Sequence, residues 1–280
     1  MSDKKLEYNI LDSELIRIDF MKIINIENRI AEIIPYLKKH GFELDEDAQD
    51  SNVEKLKDQA PLITEDIMEK TKDKGINYTF INKDEKIIIN EYLLIFKKYD
   101  FKNYSSVEKY LKFLDEILDI LIKEENLNYQ RIGIKKTNRI IMKVGYNFNK
   151  IFKEINYNQI KDDEKNVIIE NKKIVASEDI SYNIYSNIKS GIAKIINNQN
   201  NEVVEECDAY LIVLDMDYYS RNLNEYDNKK IIEKLKLLNS ELDKNFKSQI
   251  TEEFLDDLKN VEGNFEKYGI IEGVNKCNLN

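Results

Sequence analysis

The sequence predicts an α+β fold. Its first half reads as a ferredoxin-like βαββαβ unit and its second half as a related strand-strand-helix unit, with an antiparallel sheet carrying its helices on one face. Three observations predict it. Residues 26–37 and 107–121 repeat apolar side chains at helical spacing. Residues 9–21, 78–80, 87–96 and 129–141 alternate or run apolar as strands do, which sets the order strand, helix, strand, strand, helix, strand. Beyond residue 146 the chain offers more strand patterns and one long amphipathic helix, an echo of the first half without a readable repeat.

The first half justifies itself element by element. Ile16, Ile18 and Phe20 alternate with Leu15, Arg17 and Asp19, the pattern of a half-buried strand. Asn25 stands where a helix cap belongs, and Ile26, Ile30, Ile33, Ile34 and Leu37 share a helical face. Pro35 falls inside that pattern and predicts a kink or an early end. His40-Gly41 reads as the helix C-terminus, with glycine available for the left-handed cap, and His40 as a terminal residue favoured by the helix dipole. Residues 43–51 are acidic and apolar-poor, the composition of a solvated loop. Turns are predicted around Pro61 and Gly75. Two strands joined by a turn at residues 82–85 follow, the second running on through Tyr92, Leu94 and Phe96. Ser105 or Ser106 caps the next helix, whose stripe is Val107, Tyr110, Leu111, Leu114, Ile117, Leu118 and Leu121. Residues 129–141 form the strand that ends this half, taken here as residues 1–145.

The second half, residues 146–262, is less regular. Residues 146–155 suit a short helix, and residues 167–175 suit a small hairpin turning at Asn171-Lys172. Residues 180–196 fit strand or helix, and the turn-like asparagines at 197–201 favour strand. Residues 203–219 form a strand bearing Leu211, Val213, Asp215 and Asp217. Asp227 caps a long helix through Phe246, and Thr251 caps a shorter one with Phe254, Leu255 and Leu258. Residues 263–280 read as a tail.

Composition narrows the function. The chain has 280 residues, 42% hydrophobic and 34% charged, which suits a folded globular protein rather than a disordered one. Its net charge of −10 disfavours broad binding to nucleic acid. Lys, Asn and Ile enrichment points to an AT-rich bacterial coding bias, so lysine clusters carry little functional weight. Two distant cysteines and a single histidine point away from a disulfide scaffold, a zinc site and most histidine-based catalysis. With no apolar leader pattern and no long apolar run, a cytoplasmic protein is expected, away from membranes.

Two stretches concentrate the candidate chemistry. Arg131-Ile132-Gly133-Ile134-Lys135 should present Arg131, Gly133 and Lys135 on one face and the isoleucines to the core. Such a basic row could hold phosphate or an acidic partner, and Asn138-Arg139 reads as the strand end, with Asn138 bonding local backbone. The simpler alternative is cross-strand pairing with carboxylates such as Asp215. Asp215 and Asp217 also share a face, so they could hold Mg²⁺, or they could mark the exposed end of a strand paired with Arg131 or Arg139. Tyr218 and Tyr219 could give a stacking surface or could be ordinary packing. No glycine-rich phosphate loop accompanies the acids.

Residues 131–140 resemble an RIGLRYxNRI-type motif, residues 214–218 an LDxDxY-type strand end, and residues 246–251 an FxxxIT-type helix end. In that order they resemble a sporadically distributed family of bacterial and archaeal proteins whose function is uncharacterised. Lys135 and Lys136 depart from it, where the family pattern has arginine and tyrosine. The resemblance implies mobile genes and, through them, a role in phage defence or conflict between genomes. The leading expectation is a non-enzymatic binding or regulatory component with a protein partner, its surface formed by Arg131, Lys135, Asn138, Arg139 and Tyr218, and with no cofactor. The alternative is a Mg-dependent enzyme acting on nucleotides or nucleic acid through Asp215 and Asp217.

Overall fold

A single strand of fifteen residues joins the two halves of the chain. It is β6 (Tyr129–Lys143), and it pairs with β1 (Leu11–Phe20) on one side and with β9 (Val203–Ser220) on the other. The computed structural model describes residues 10–45, 76–99, 107–122, 129–153, 167–196, 203–221, 228–260, 265–271 and 277–278. The remaining elements are α1 (Ile26–Lys39), β2 (Glu43–Leu44), β3 (Tyr78–Asn82), β4 (Glu85–Asn90), β5 (Leu93–Tyr99), α2 (Val107–Ile122), β7 (Ile168–Val175), β8 (Ser181–Ile196), α3 (Asn228–Gln249), α4 (Glu252–Leu258) and β10 (Cys277–Asn278).

The fold is α+β, and its described residues build one antiparallel sheet of ten strands. Nine follow the order β10-β8-β9-β6-β1-β5-β4-β3-β2, and β7 lies beside β8. The β6–β9 ladder runs without a break from Ile132↔Ser220 to Lys143↔Ala209, so both halves share the sheet. Alternation along β6 explains its place there. Ile132, Ile134, Ile140 and Met142 fall on one face and are all buried.

That face receives the helices. The stripes Ile26, Ile30, Ile33, Leu37 of α1, Leu111, Leu114, Leu118 of α2 and Ile231, Leu235, Leu238 of α3 enter one core with Ile16, Ile18, Ile87, Phe96, Ile134 and Met216. Each fully buried aliphatic side chain there contributes about 1.5–3 kcal/mol. α4 and a 3₁₀ turn, Phe265–Tyr268, cover the far end of the same face over Ile140, Met142, Tyr210 and Ile212. Among the described residues no helix packs on the opposite face, and no helix is long and apolar enough to cross a membrane.

Several expectations change in detail. The apolar run 87–96 is two strands, because the Asn90 side chain accepts hydrogen bonds from the amides of Tyr92 and Leu93 and folds the chain back between β4 and β5. Residues 167–175 are not a hairpin. They pair continuously with β8, from Ile168↔Lys189 to Val175↔Tyr182, and the turn comes later, around Ser177 and Ile180. Glu43 and Leu44, expected in a loop, add a short strand to β3. Residues 148–150 make only a 3₁₀ turn. The stretch after Val261, expected as a tail, returns to the body: Phe265 and Tyr268 are buried, and Cys277–Asn278 pairs with β8.

Helix ends follow local chemistry with one exception. Gly41 has φ 82° and closes α1, with Phe42 N–H bonded to Leu37 O and Gly41 N–H to Lys38 O. Pro35 leaves α1 continuous. Asn25 takes the cap position with φ 55°, so its side chain makes no cap bond and its backbone oxygen accepts from Asn28 and Arg29 instead. Thr251 does cap α4, accepting from the Phe254 amide at 3.2 Å. The predicted caps at Ser105, Ser106 and Asp227, and the turns at Pro61, Gly75 and 197–201, lie outside the described residues.

Candidate functional site

The face of the sheet on which no described helix packs carries the polar side chains of β6 and its neighbours. Alternation along β6 sends Arg131, Gly133, Lys135, Thr137 and Arg139 there. The register sets Gly133 opposite Tyr219, Lys135 opposite Asp217 and Thr137 opposite Asp215 on β9, and Arg17 opposite Gly133 on β1.

The ion pairs do not follow the rungs. Arg131 Nη2 meets Asp217 Oδ2 at 2.7 Å, and Lys135 Nζ meets Asp215 Oδ2 at 2.8 Å. Each cation therefore reaches an acid further along β9 than its direct neighbour. Arg131 can do so because Gly133 puts no side chain on its half of the intervening rung. A Cβ at Gly133 would sit 3.1 Å from Tyr219 Cβ and 3.4 Å from Arg131 Nε. The guanidinium crosses that gap with Cζ 4.4 Å from the Tyr219 ring, which Arg221 also approaches at 5.0 Å. Here lies the reason for a glycine inside a strand. Thr137 Oγ1 donates to the second Asp215 oxygen at 3.1 Å, and Arg17 pairs with Asp19 at 2.6 Å.

The face is dry enough to move ionisation. Burial pushes the Asp215 carboxyl above the usual carboxylate range, and Asp217 adds to this, against the pull of Lys135 and Thr137. Lys97 on β5 is held below the usual lysine range by burial and by the charge of Lys135, against Asp12 and Asp215. Burial likewise raises Tyr185, which lies opposite Asp215 on β8 and accepts from Asn187 Nδ2 at 2.8 Å.

The structure divides the predicted surface. Arg131, Lys135 and Arg139 do lie together on the open face. Arg139 is the accessible member, its side chain 49% exposed and 3.2 Å from Asp12. Asn138 and Tyr218, expected on the same surface, point to the helix side and are buried. Residues an odd number of places from Arg131 must face away from it. Asn138 sits among Ile140, Phe152, Leu214 and Phe246, and Tyr218 stacks on Tyr182 at 4.9 Å. Tyr219, two places from Asp217, shares the open face with Tyr185 and lies beside Gly133. Asp215 and Asp217 share the open face as their spacing requires, each held by a cation. Among the described residues, no three His, Cys, Asp or Glu side chains are grouped to hold a metal ion.

His40 ends α1 with Nδ1 2.9 Å from the Tyr36 carbonyl and its ring against Tyr36 and Phe113, a packing role. No family model, characterised protein or solved structure matches this chain.

Proposed function

We propose that this chain is a non-enzymatic binding or regulatory component that engages a protein partner through the open face of its sheet, within a system of phage defence or genome conflict. The observation that carries the reading is the shifted ion-pair ladder of Arg131, Asp217, Lys135 and Asp215. Its charges are locked in place before any partner arrives, so recognition costs little side-chain ordering. Opposite charges in alternation suit a partner of complementary pattern better than a polyanion, and the net charge of −10 agrees. The defence role rests on the resemblance of residues 131–140, 214–218 and 246–251 to the sporadic family. We read the core of the first half as ferredoxin-like, with β1, α1, β4, β5, α2 and β6 as its βαββαβ elements and β2 and β3 added beyond β4.

The test is retention of protein from nuclease-treated host lysate on the wild-type chain and on Arg139→Glu, whose exposed side chain can change without unfolding the sheet. A stoichiometric protein held by the first and lost by the second is the expected result. Equal retention by both, or magnesium-dependent turnover of nucleotides by the purified chain that Asp215→Asn abolishes, overturns the reading.

A further inference from the structure

The two ends of the sheet are built differently. One ends in β2, only two residues long, a blunt edge that offers little for pairing. The other carries β7, eight residues long, and among the described residues β7 pairs with β8 alone. Ile168 on this edge is 72% exposed, the most exposed large apolar side chain among the described residues, and Ile174 is 59% exposed. Apolar residues at both ends of an open edge strand call for a cover.

The register with β8 sets Ile168, Glu170, Lys172 and Ile174 opposite Lys189, Asn187, Tyr185 and Asn183, so all four lie on the open face. Read along the strand they run apolar, acidic, basic, apolar. Read backwards they run the same with the charges exchanged. Such a strand is complementary to itself when antiparallel. We propose that two copies of this chain pair edge to edge through β7, about a two-fold axis normal to the sheet at Asn171.

That axis sets Ile168 against Ile174 of the second copy and Glu170 against Lys172 of the second copy, each twice, with the two Asn171 side chains facing at the centre. Other positions fail. On the open face an axis at Glu170 or Lys172 opposes like charges, and one at Ile169 or Lys173 sets an exposed isoleucine against a charge; the axis at Asn171 does neither there, and on the helix side it sets Ile169 against Lys173. Among the described residues neither Glu170 nor Lys172 makes an ion pair, although Glu170 accepts from Asn187 Nδ2 at 3.1 Å. The second copy supplies both counter-charges. Main-chain bonds across the edge give the affinity, as in other strand additions, and the side-chain order gives the register. Because the axis uses each β7 edge up, the assembly closes as a pair instead of growing.

The experiment is sedimentation of the full chain over a range of concentrations. The wild-type chain should approach twice its 33.2 kDa mass. Glu170→Lys or Lys172→Glu alone should weaken association by about tenfold or more, since each opposes like charges twice. The double exchange Glu170→Lys/Lys172→Glu restores the palindrome and should restore the pair. In a Cys207→Ser/Cys277→Ser background, Asn171→Cys should cross-link two chains on oxidation, because two residues on the axis bring their Cα atoms to about 4.5–5.5 Å. A monomer at every concentration, or a dimer indifferent to both single exchanges, overturns the proposal. Loss in the single exchanges without recovery in the double overturns the axis at Asn171.

Discussion

Replacing Lys135 with Met removes the ammonium from a carboxylate that is almost out of water. Asp215 is 8% exposed and its Oδ2 lies 2.8 Å from Lys135 Nζ. Removing one partner of a buried pair costs about 3–5 kcal/mol, because the other charge stays behind. Thr137 still donates to Asp215 at 3.1 Å and Lys97 adds a favourable charge, so the low end applies, about 3 kcal/mol at neutral pH. At an m-value of about 3 kcal/mol/M, the urea midpoint drops by about 1 M.

The pH dependence makes the prediction specific. Burial already holds the folded Asp215 carboxyl above its ordinary value of 3.8. Between those two values the folded state binds more protons than the unfolded state, so this group's contribution to stability falls as pH rises through the window. Without Lys135 the folded value climbs further and the window reaches toward neutral pH. The deficit of Lys135→Met should therefore be largest at pH 8 and shrink toward pH 5. Urea midpoints of wild type and variant, followed by circular dichroism across that range, measure it. In an Asp215→Asn background the same substitution should cost only about 1 kcal/mol, because no charge is left stranded. A deficit that stays flat from pH 5 to 8, or one equally large in the background where a neutral amide replaces the carboxylate, would refute the account of the ladder.

Other substitutions test other parts. Gly133→Ala should cost about 1–3 kcal/mol, since its Cβ enters the lane of Arg131 beside Tyr219. In a double-mutant cycle with Arg131→Ala the two costs should fall short of additive by about 0.5 kcal/mol or more. Thr251→Ala removes the cap of α4 and a bond to the Lys150 carbonyl at 2.7 Å, and should lower stability by about 1 kcal/mol in chemical denaturation. Phe113→Ala should cost about 3 kcal/mol by the same assay, because its ring stacks on Tyr36 and Phe42 and meets Phe96 edge-on.

Legibility in the sequence tracks the distance over which each feature is decided. The stripes of α1, α2 and α3 and the alternation of β6 are local, and the face assignments of Arg131, Lys135, Asp215 and Asp217 follow from spacing alone. The split of residues 87–96 is hidden because the turn carries no glycine. It depends on an asparagine side chain bonding backbone two and three residues on. β7 resembles a hairpin because its polar centre, Glu170 to Lys173, is also what an edge strand shows. The motifs draw Asn138 and Tyr218 to the surface against their own parity, which places both on the helix side.

The α+β class, the helix stripes and the sharing of faces are already legible in the linear chain. Those depend on the 3.6- and two-residue periods of the backbone. Long-range pairing settles that one sheet spans both halves, that Gly133 clears a lane over Tyr219 and that, among the described residues, β7 is left as an edge. Strand neighbours and their register are set by residues far apart in the chain, such as Gly133 and Tyr219. A local pattern says which way a side chain points. What it meets there depends on which strand the folded chain brings alongside.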